Sequence, residues 1–266
     1  CGLDLTGKQV LVDARLRKKI QDGGFPTVEA FLDHVQRNPK SEAFADMIDV
    51  LTTNHTSFFR ESQHFDLLRN TIVPAFAGSD RLKLWSAACS TGEEPYTITF
   101  SLLEAMGDAV FSRVEILATD ISTRVLEKAQ KGLYPVSSVS QLPVDLRRQC
   151  LLKGTGRYAD QCLVKRELRS LITFRQFNLL DDCSTFGPFH VIFCRNVMIY
   201  FDQQTQERLV NRLAMRLLPG GYLLIGHSES LSGLNQPLQY IAPATYRKAG
   251  SMGMAAQSES ILRRSR

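Results

Sequence analysis

From residue 81 the chain alternates short β-rich runs with helical ones. "RLKLWSAA", "VEILATD", "LITFRQFN", "HVIFCRN" and "GYLLIGHS" read as strands, and "EPYTITFSLLEAM", "STRVLEKAQ" and "QQTQERLVNRLAMRLL" read as the helices between several of them. Such alternation predicts a parallel sheet covered on both faces, because parallel neighbours are joined by crossovers that pack back onto the sheet. "QYIAPATYRKA" offers two final short strands around Pro243. One segment, 150–177, breaks the alternation. Its "CLLKGTGRYADQCLVKREL" places a glycine turn between β-like runs and predicts an inserted hairpin.

The chain begins differently. Over 1–70, "VLVDARLRKKI", "VEAFLDHV" and "EAFADMIDVL" carry apolar residues at helical spacing, the first two separated by the turn cluster "QDGGFPT". No strand signal precedes residue 81. The expected organisation is an α/β protein: a small all-α domain over 1–70, a linker over 71–80 containing "FAGSD", an α/β domain over 81–250 with its insertion at about 150–177, and a Ser-rich, basic, disordered tail over 251–266.

Composition narrows the classes. The 266 residues are 44% hydrophobic and 22% charged, as in ordinary globular proteins. No apolar run approaches the roughly 20 residues that span a bilayer. No signal peptide is visible, and a start at Cys1 rather than Met reads as a trimmed terminus. Six cysteines without a C-x-x-C pair read as reduced thiols in a cytoplasm, and five scattered histidines suggest no metal site. The net charge of +5 suits a solvated basic surface or an acidic partner.

Ligands of open α/β sheets bind beyond the carboxyl ends of the strands. Here those ends carry Cys89-Ser90-Thr91-Gly92-Glu93-Glu94, then Asp120, then Asn178, then Arg195 and Asn196. The G-x-G-x-x-G turn of a dinucleotide site is absent, and glutamates at a helix start would repel phosphate. One of Glu93 and Glu94 complements the helix terminus, with Pro95 expected at the first helical position. The other is available for a ligand cation. S-adenosylmethionine fits this set: an ammonium for Glu94, a ribose diol for Asp120, an adenine for Asn178 and the backbone at Leu179, and no phosphate. Asp120 could equally be a helix cap for "STRVLEKA".

The blocks "LTTNHTSFFRE" (51–61), "WSAACSTGEEPY" (85–96), "FCRNVMIYFD" (193–202) and "GHSESL" (226–231) resemble the signature blocks of the chemotaxis receptor methyltransferases, the CheR family. The resemblance runs to about residue 248. It implies a helical N-terminal domain joined to a Rossmann-like S-adenosylmethionine-dependent methyltransferase domain with an antiparallel β-subdomain. It implies that Asn54, Thr56 and Arg60 reach the cofactor from the first domain. Glu94, Asp120, Asn178, Leu179, Arg195 and Asn196 would complete the pocket, with Arg60 and Tyr200 nearest the transferred methyl. His55 departs from the apolar residue expected there, and Cys89 occupies a position usually held by small residues.

The activity so implied is methyl transfer from S-adenosylmethionine to receptor glutamates, yielding methyl esters and S-adenosylhomocysteine. A glutamate, with a pKa of about 4.3, is already ionised at pH 7, so alignment rather than a general base is the need. Two other readings stay open: an N-methyltransferase, though "RNVMIY" lacks the prolines such enzymes often carry, and a non-catalytic adaptor. The implied partners are the cytoplasmic methylation helices of transmembrane chemotaxis receptors, met by a monomer that takes neither nucleic acid nor a membrane-inserted position. Arg15, Lys18 and Lys19 share one helical face and could dock those acidic helices, although nine Lys/Arg oppose ten Asp/Glu over 1–70. Lys165, Arg166 and Arg169 could meet an acidic peptide from a receptor C-terminus at the β-subdomain.

Overall fold

The computed structural model describes residues 16–17, 20–38, 41–51 and 55–250. Seven strands form the main sheet: β1 (Leu82–Ser86), β2 (Val114–Asp120), β6 (Ile172–Gln176), β7 (Phe189–Cys194), β8 (Leu217–Ile225), β9 (Leu238–Ala242) and β10 (Thr245–Lys248). Their order is β6-β2-β1-β7-β8-β10-β9. The first five are mutually parallel, and β10 pairs antiparallel with both β8 and β9. The order reverses between β1 and β7, which opens a crevice at their carboxyl ends.

Alternate residues explain why the sheet is covered twice. Val191, Phe193, Tyr222 and Leu224 belong to one core cluster, whereas Ile192, Cys194, Leu223 and Ile225 belong to another. A period of two sends neighbours to opposite faces, so runs that are apolar throughout must be buried on both. Of the covering helices, α3 (Glu93–Met106) is buried almost all round: Tyr96, Ile98, Phe100 and Leu102 are fully enclosed, and so are Thr97, Thr99 and Ser101. Thr97 and Thr99 donate their hydroxyls to the carbonyls of Glu93 and Tyr96, at 2.6 and 2.7 Å, which satisfies these polar groups inside the core.

Two expected boundaries move. The linker placed at 71–80 begins too early, because a helical stretch runs from Gln63 through Ala75 and buries Phe65, Leu68 and Ile72 in the main core. The insertion placed at 150–177 also shifts. The three-stranded antiparallel sheet comprises β3 (Leu133–Pro135), β5 (Gln161–Val164) and β4 (Leu151–Lys153), in that spatial order. β6 lies inside the expected insertion yet pairs parallel with β2, Ile172 opposite Ile116. A strand of three residues is too short to show periodicity, so β3 left no signal in the sequence.

The N-terminal helices α1 (Val28–Arg37) and α2 (Glu42–Leu51) build a separate small core with Leu16 and Ile20. Thr27 caps α1 by accepting from Ala30 N at 3.1 Å, and Ser41 accepts from Phe44 N at 3.2 Å at the start of α2. Arg124, on α4 (Thr123–Lys131), ties this unit to the α/β body through ion pairs with Asp46 and Glu42.

Candidate functional site

The turn after β1 sets the geometry. Gly92 caps α3 with φ +100°, and a Cβ there would lie 2.7 Å from Tyr134 Oη and 2.8 Å from Ala129 Cβ. Only glycine satisfies both the backbone and the space. The helix starts at Glu93, so Pro95 stands third rather than first. The two acids then separate. Glu93 is buried and accepts from Thr91 Oγ1 at 2.6 Å, and burial raises its carboxyl. Glu94 faces a cleft, with Oε1 accepting from Ser86 Oγ at 2.7 Å and Oε2 from Arg195 Nη1 at 3.0 Å.

Nine of the expected site residues line that cleft together: Thr56, Arg60, Glu94, Asp120, Asn178, Leu179, Arg195, Asn196 and Tyr200. Asn54, Arg15, Lys18 and Lys19 lie outside the described residues. Asp120 ends β2, its Oδ2 accepting from Ser90 N at 2.8 Å and its Oδ1 from Ser122 N at 3.0 Å. The helix-cap reading fails for it: Ser122 caps α4, accepting from Val125 N. Asn178 turns its own loop by accepting from Leu180 N at 3.0 Å.

Aromatic anchoring brings residues 55–61 over the cleft. Phe58 stacks on Phe100 with centroids 5.9 Å apart and meets Tyr134 edge-on at 5.0 Å, and Phe59 N donates to Thr97 Oγ1. Phe59 and Glu61 both take positive φ, 55° and 57°, a costly conformation for such residues that packing must hold. Between them Arg60 projects to the cleft and donates to the carbonyl of His55 at 2.8 Å. His55 is exposed at the rim and disturbs no packing.

Sequence reasoning missed three organising residues. Glu61 accepts from Arg195 Nη2 at 2.9 Å and from Asn196 Nδ2 at 3.2 Å, and its carboxyl ends below its usual range because these partners outweigh burial. Glu229, half-buried, accepts backbone N–H groups of the loop after β7. Arg212, on α5 (Gln203–Arg216), donates to the carbonyls of Leu179, Leu180 and Asp181 and holds the Asn178 loop. Each is an ordinary charged residue in sequence, and only its distant partners make it structural.

Glu61, His64 and His227 also bring ligand atoms within 4.8 Å of one another. Both oxygens of Glu61 already face Arg195 and Asn196, and the guanidinium opposes a cation, so we assign no metal there. Cys89 is buried, and desolvation with nearby Asp120 and Glu94 holds its thiol well above the ordinary value, so it behaves as a small core side chain rather than a reactive one.

Two carboxylates, Glu94 and Asp120, and two guanidiniums, Arg60 and Arg195, line the cleft, and Arg195 also pairs with Glu61 outside that lining. Carboxylate acceptors beside guanidiniums suit a ligand that carries both an ammonium and a carboxylate. A family model described as CheR methyltransferase, SAM binding domain, matches residues 54–246.

The chain belongs to the CheR methyltransferase family. It is 40% identical over 256 residues to a chemotaxis protein methyltransferase of Borreliella burgdorferi, covering 93% of this chain and 89% of that one. It is 40% identical to chemotaxis protein methyltransferase 2 of Pseudomonas aeruginosa, covering 91% and 86%, and 40% identical to the Escherichia coli chemotaxis protein methyltransferase, covering 86% and 79%. This CheR chain is therefore a methyltransferase with S-adenosylmethionine as its cofactor. The carboxylate acceptors Glu94 and Asp120 in the cleft fit that group.

Proposed function

We propose that this protein transfers the methyl of S-adenosylmethionine to glutamate side chains of chemotaxis receptors, forming methyl esters. The observation that carries this reading is the single cleft lined by the oriented carboxylates Glu94 and Asp120 together with Arg60 and Tyr200. Its relatives' names as chemotaxis methyltransferases support it. When bound, the cofactor supplies an electrophilic methyl on a sulfonium. Glu94 would accept from its ammonium, Asp120 from its ribose diol, and Asn178 with the Leu179 backbone would hold its adenine. Thr56, Arg195 and Asn196 line the same cleft, and Asn54 is assigned to the cofactor on the family resemblance alone.

The substrate carboxylate, with an ordinary pKa of about 4.3, arrives ionised and needs no base. Arg60 orients it, or the cofactor's own carboxylate, through a charge-assisted pair, and Tyr200 directs its hydroxyl to the transfer point. Alignment of this kind supplies several kcal/mol, up to about 7–11 in ideal cases.

Receptor docking is assigned to Arg15, Lys18 and Lys19, on their i, i+3, i+4 spacing in the sequence alone. A receptor C-terminal peptide is assigned to the β-subdomain, where β3 and β4 are edge strands and Leu152 and Tyr158 are exposed, 52% and 45%. Among the described residues no helix is long and apolar enough to cross a membrane, and the reading places the protein in the cytoplasm. The test is incubation with labelled cofactor and receptor-bearing membranes, then alkali. Release of labelled methanol from mapped glutamates is expected. A base-stable label would indicate N-methylation, and no incorporation would indicate an adaptor.

A further inference from the structure

The loop after β7 carries Asn196 and then a tight 3₁₀ turn, Met198–Tyr200, into the cleft. Its backbone is not self-sufficient. Asn196 takes φ +57°, and a 3₁₀ turn leaves its first N–H groups without partners inside the turn. One half-buried carboxylate supplies those partners. Glu229 Oε2 accepts from Asn196 N at 2.9 Å and Gly226 N at 2.6 Å, while Oε1 accepts from Met198 N at 2.8 Å. The backbone of Ile199 also bonds this carboxylate. A single side chain thus bridges the loop after β8 to the loop after β7.

The fit is close. A Cβ on Gly226 would lie 2.4 Å from Asn196 Nδ2 and 2.9 Å from Glu229 Oε2, so residue 226 must be glycine for the carboxylate to enter. On the other side Glu61 accepts from Asn196 Nδ2 and from the backbone of His227. Asn196 is therefore gripped between two carboxylates, its N–H by Glu229 and its amide by Glu61.

We propose that Glu229 is a positioning residue for methyl transfer: it caps the Met198–Tyr200 turn and so fixes where Tyr200 and Asn196 stand in the cleft. The inference rests on the role of Tyr200 in the reaction proposed above. Glu229 acts through these residues and not on the substrate. Its carboxylate matters as an acceptor for several N–H donors at once. A glutamine has the same size but turns an NH₂ group towards donors, and an aspartate keeps the charge but is one methylene too short to bridge both loops.

The test is a double-mutant cycle on the full chain, with kcat, receptor KM, affinity for S-adenosylhomocysteine and thermal midpoint read for each variant. Glu229→Gln is expected to lower kcat about tenfold or more and weaken product affinity several-fold, with receptor KM unchanged. In a Tyr200→Phe background the same change should lower kcat much less, because the residue it positions has lost its hydroxyl. Equal fold losses in both backgrounds would overturn the proposal, as would wild-type kcat in folded Glu229→Gln. If that variant does not fold, Glu229→Asp serves, with reduced kcat at a near-native midpoint expected and wild-type kcat overturning. Should the wild type methylate no receptor, the reaction itself is refuted. Product affinity still tests Glu229 in that case, since wild-type affinity in the folded variants would show that Asn196 is not positioned by it.

Discussion

Arg195 Nη1 lies 3.0 Å from Glu94 Oε2, joining the carboxyl end of β7 to the first turn of α3. The same guanidinium reaches Glu61 with its other arm, donates to the carbonyl of Arg60, and lies 5.5 Å from the Phe65 ring centroid. One nearly enclosed arginine therefore ties three chain segments together beside the cleft. Its charge favours the ionised form of Glu61, and its two arms hold both carboxylates in place.

Removing that cation should be costly. Arg195→Met leaves Glu61 and Glu94 without their shared counter-charge, and breaking a buried pair from one side costs about 3–5 kcal/mol. Urea denaturation should show a loss of this order, together with loss of product binding in calorimetry. A variant as stable as wild type would show that the ion pairs hold nothing together.

Arg60 presents the opposite case, a cleft-facing cation bonded to a rim carbonyl. Arg60→Ala should leave the thermal midpoint within a few degrees of wild type. Its kcat/KM should fall by about tenfold to a hundredfold, the loss of one or two charge-assisted bonds. Near-wild-type turnover on saturating receptor would remove Arg60 from the reaction.

Asp120 is held by two backbone N–H groups, so its carboxylate is preorganised towards the cleft. Asp120→Ala should weaken S-adenosylhomocysteine binding by about 1.5–3 kcal/mol. Titration calorimetry reads this directly, and unchanged affinity would count against a ribose contact.

His64 makes a pH prediction. It is buried with no hydrogen-bond partner at either ring nitrogen, and burial, with Arg195 and His227 nearby, lowers its pKa from 6.5 to about 4. The folded state thus resists a proton that the unfolded chain takes up. Neutral His64 contributes its stability in full above pH 6.5, and that contribution is lost as pH falls through the folded value near 4. The loss is about 3 kcal/mol at most. His64→Phe should flatten the stability profile between these limits, as read by urea midpoints across pH, and an unchanged slope would refute the assignment.

The strands of the main sheet, the helices between them and the polar residues at four strand ends were legible because they are local. Periodicity marks β1, β2, β6, β7 and β8, and ligand chemistry marks Asp120 and Asn178 without reference to any contact. The four motif blocks likewise carried the family resemblance. Tertiary structure decided what depends on partners distant in sequence. Which of Glu93 and Glu94 faces the cleft follows from Ser86 and Arg195, the latter 101 residues from Glu94. That residues 71–75 join the main core follows from burial of Ile72, and the antiparallel sheet starts at β3 because Leu133 pairs with Leu163. Glu61 and Glu229 were invisible as organisers for the same reason: an acid's role is set by the N–H and guanidinium donors that folding brings to it, and sequence spacing does not encode those distances.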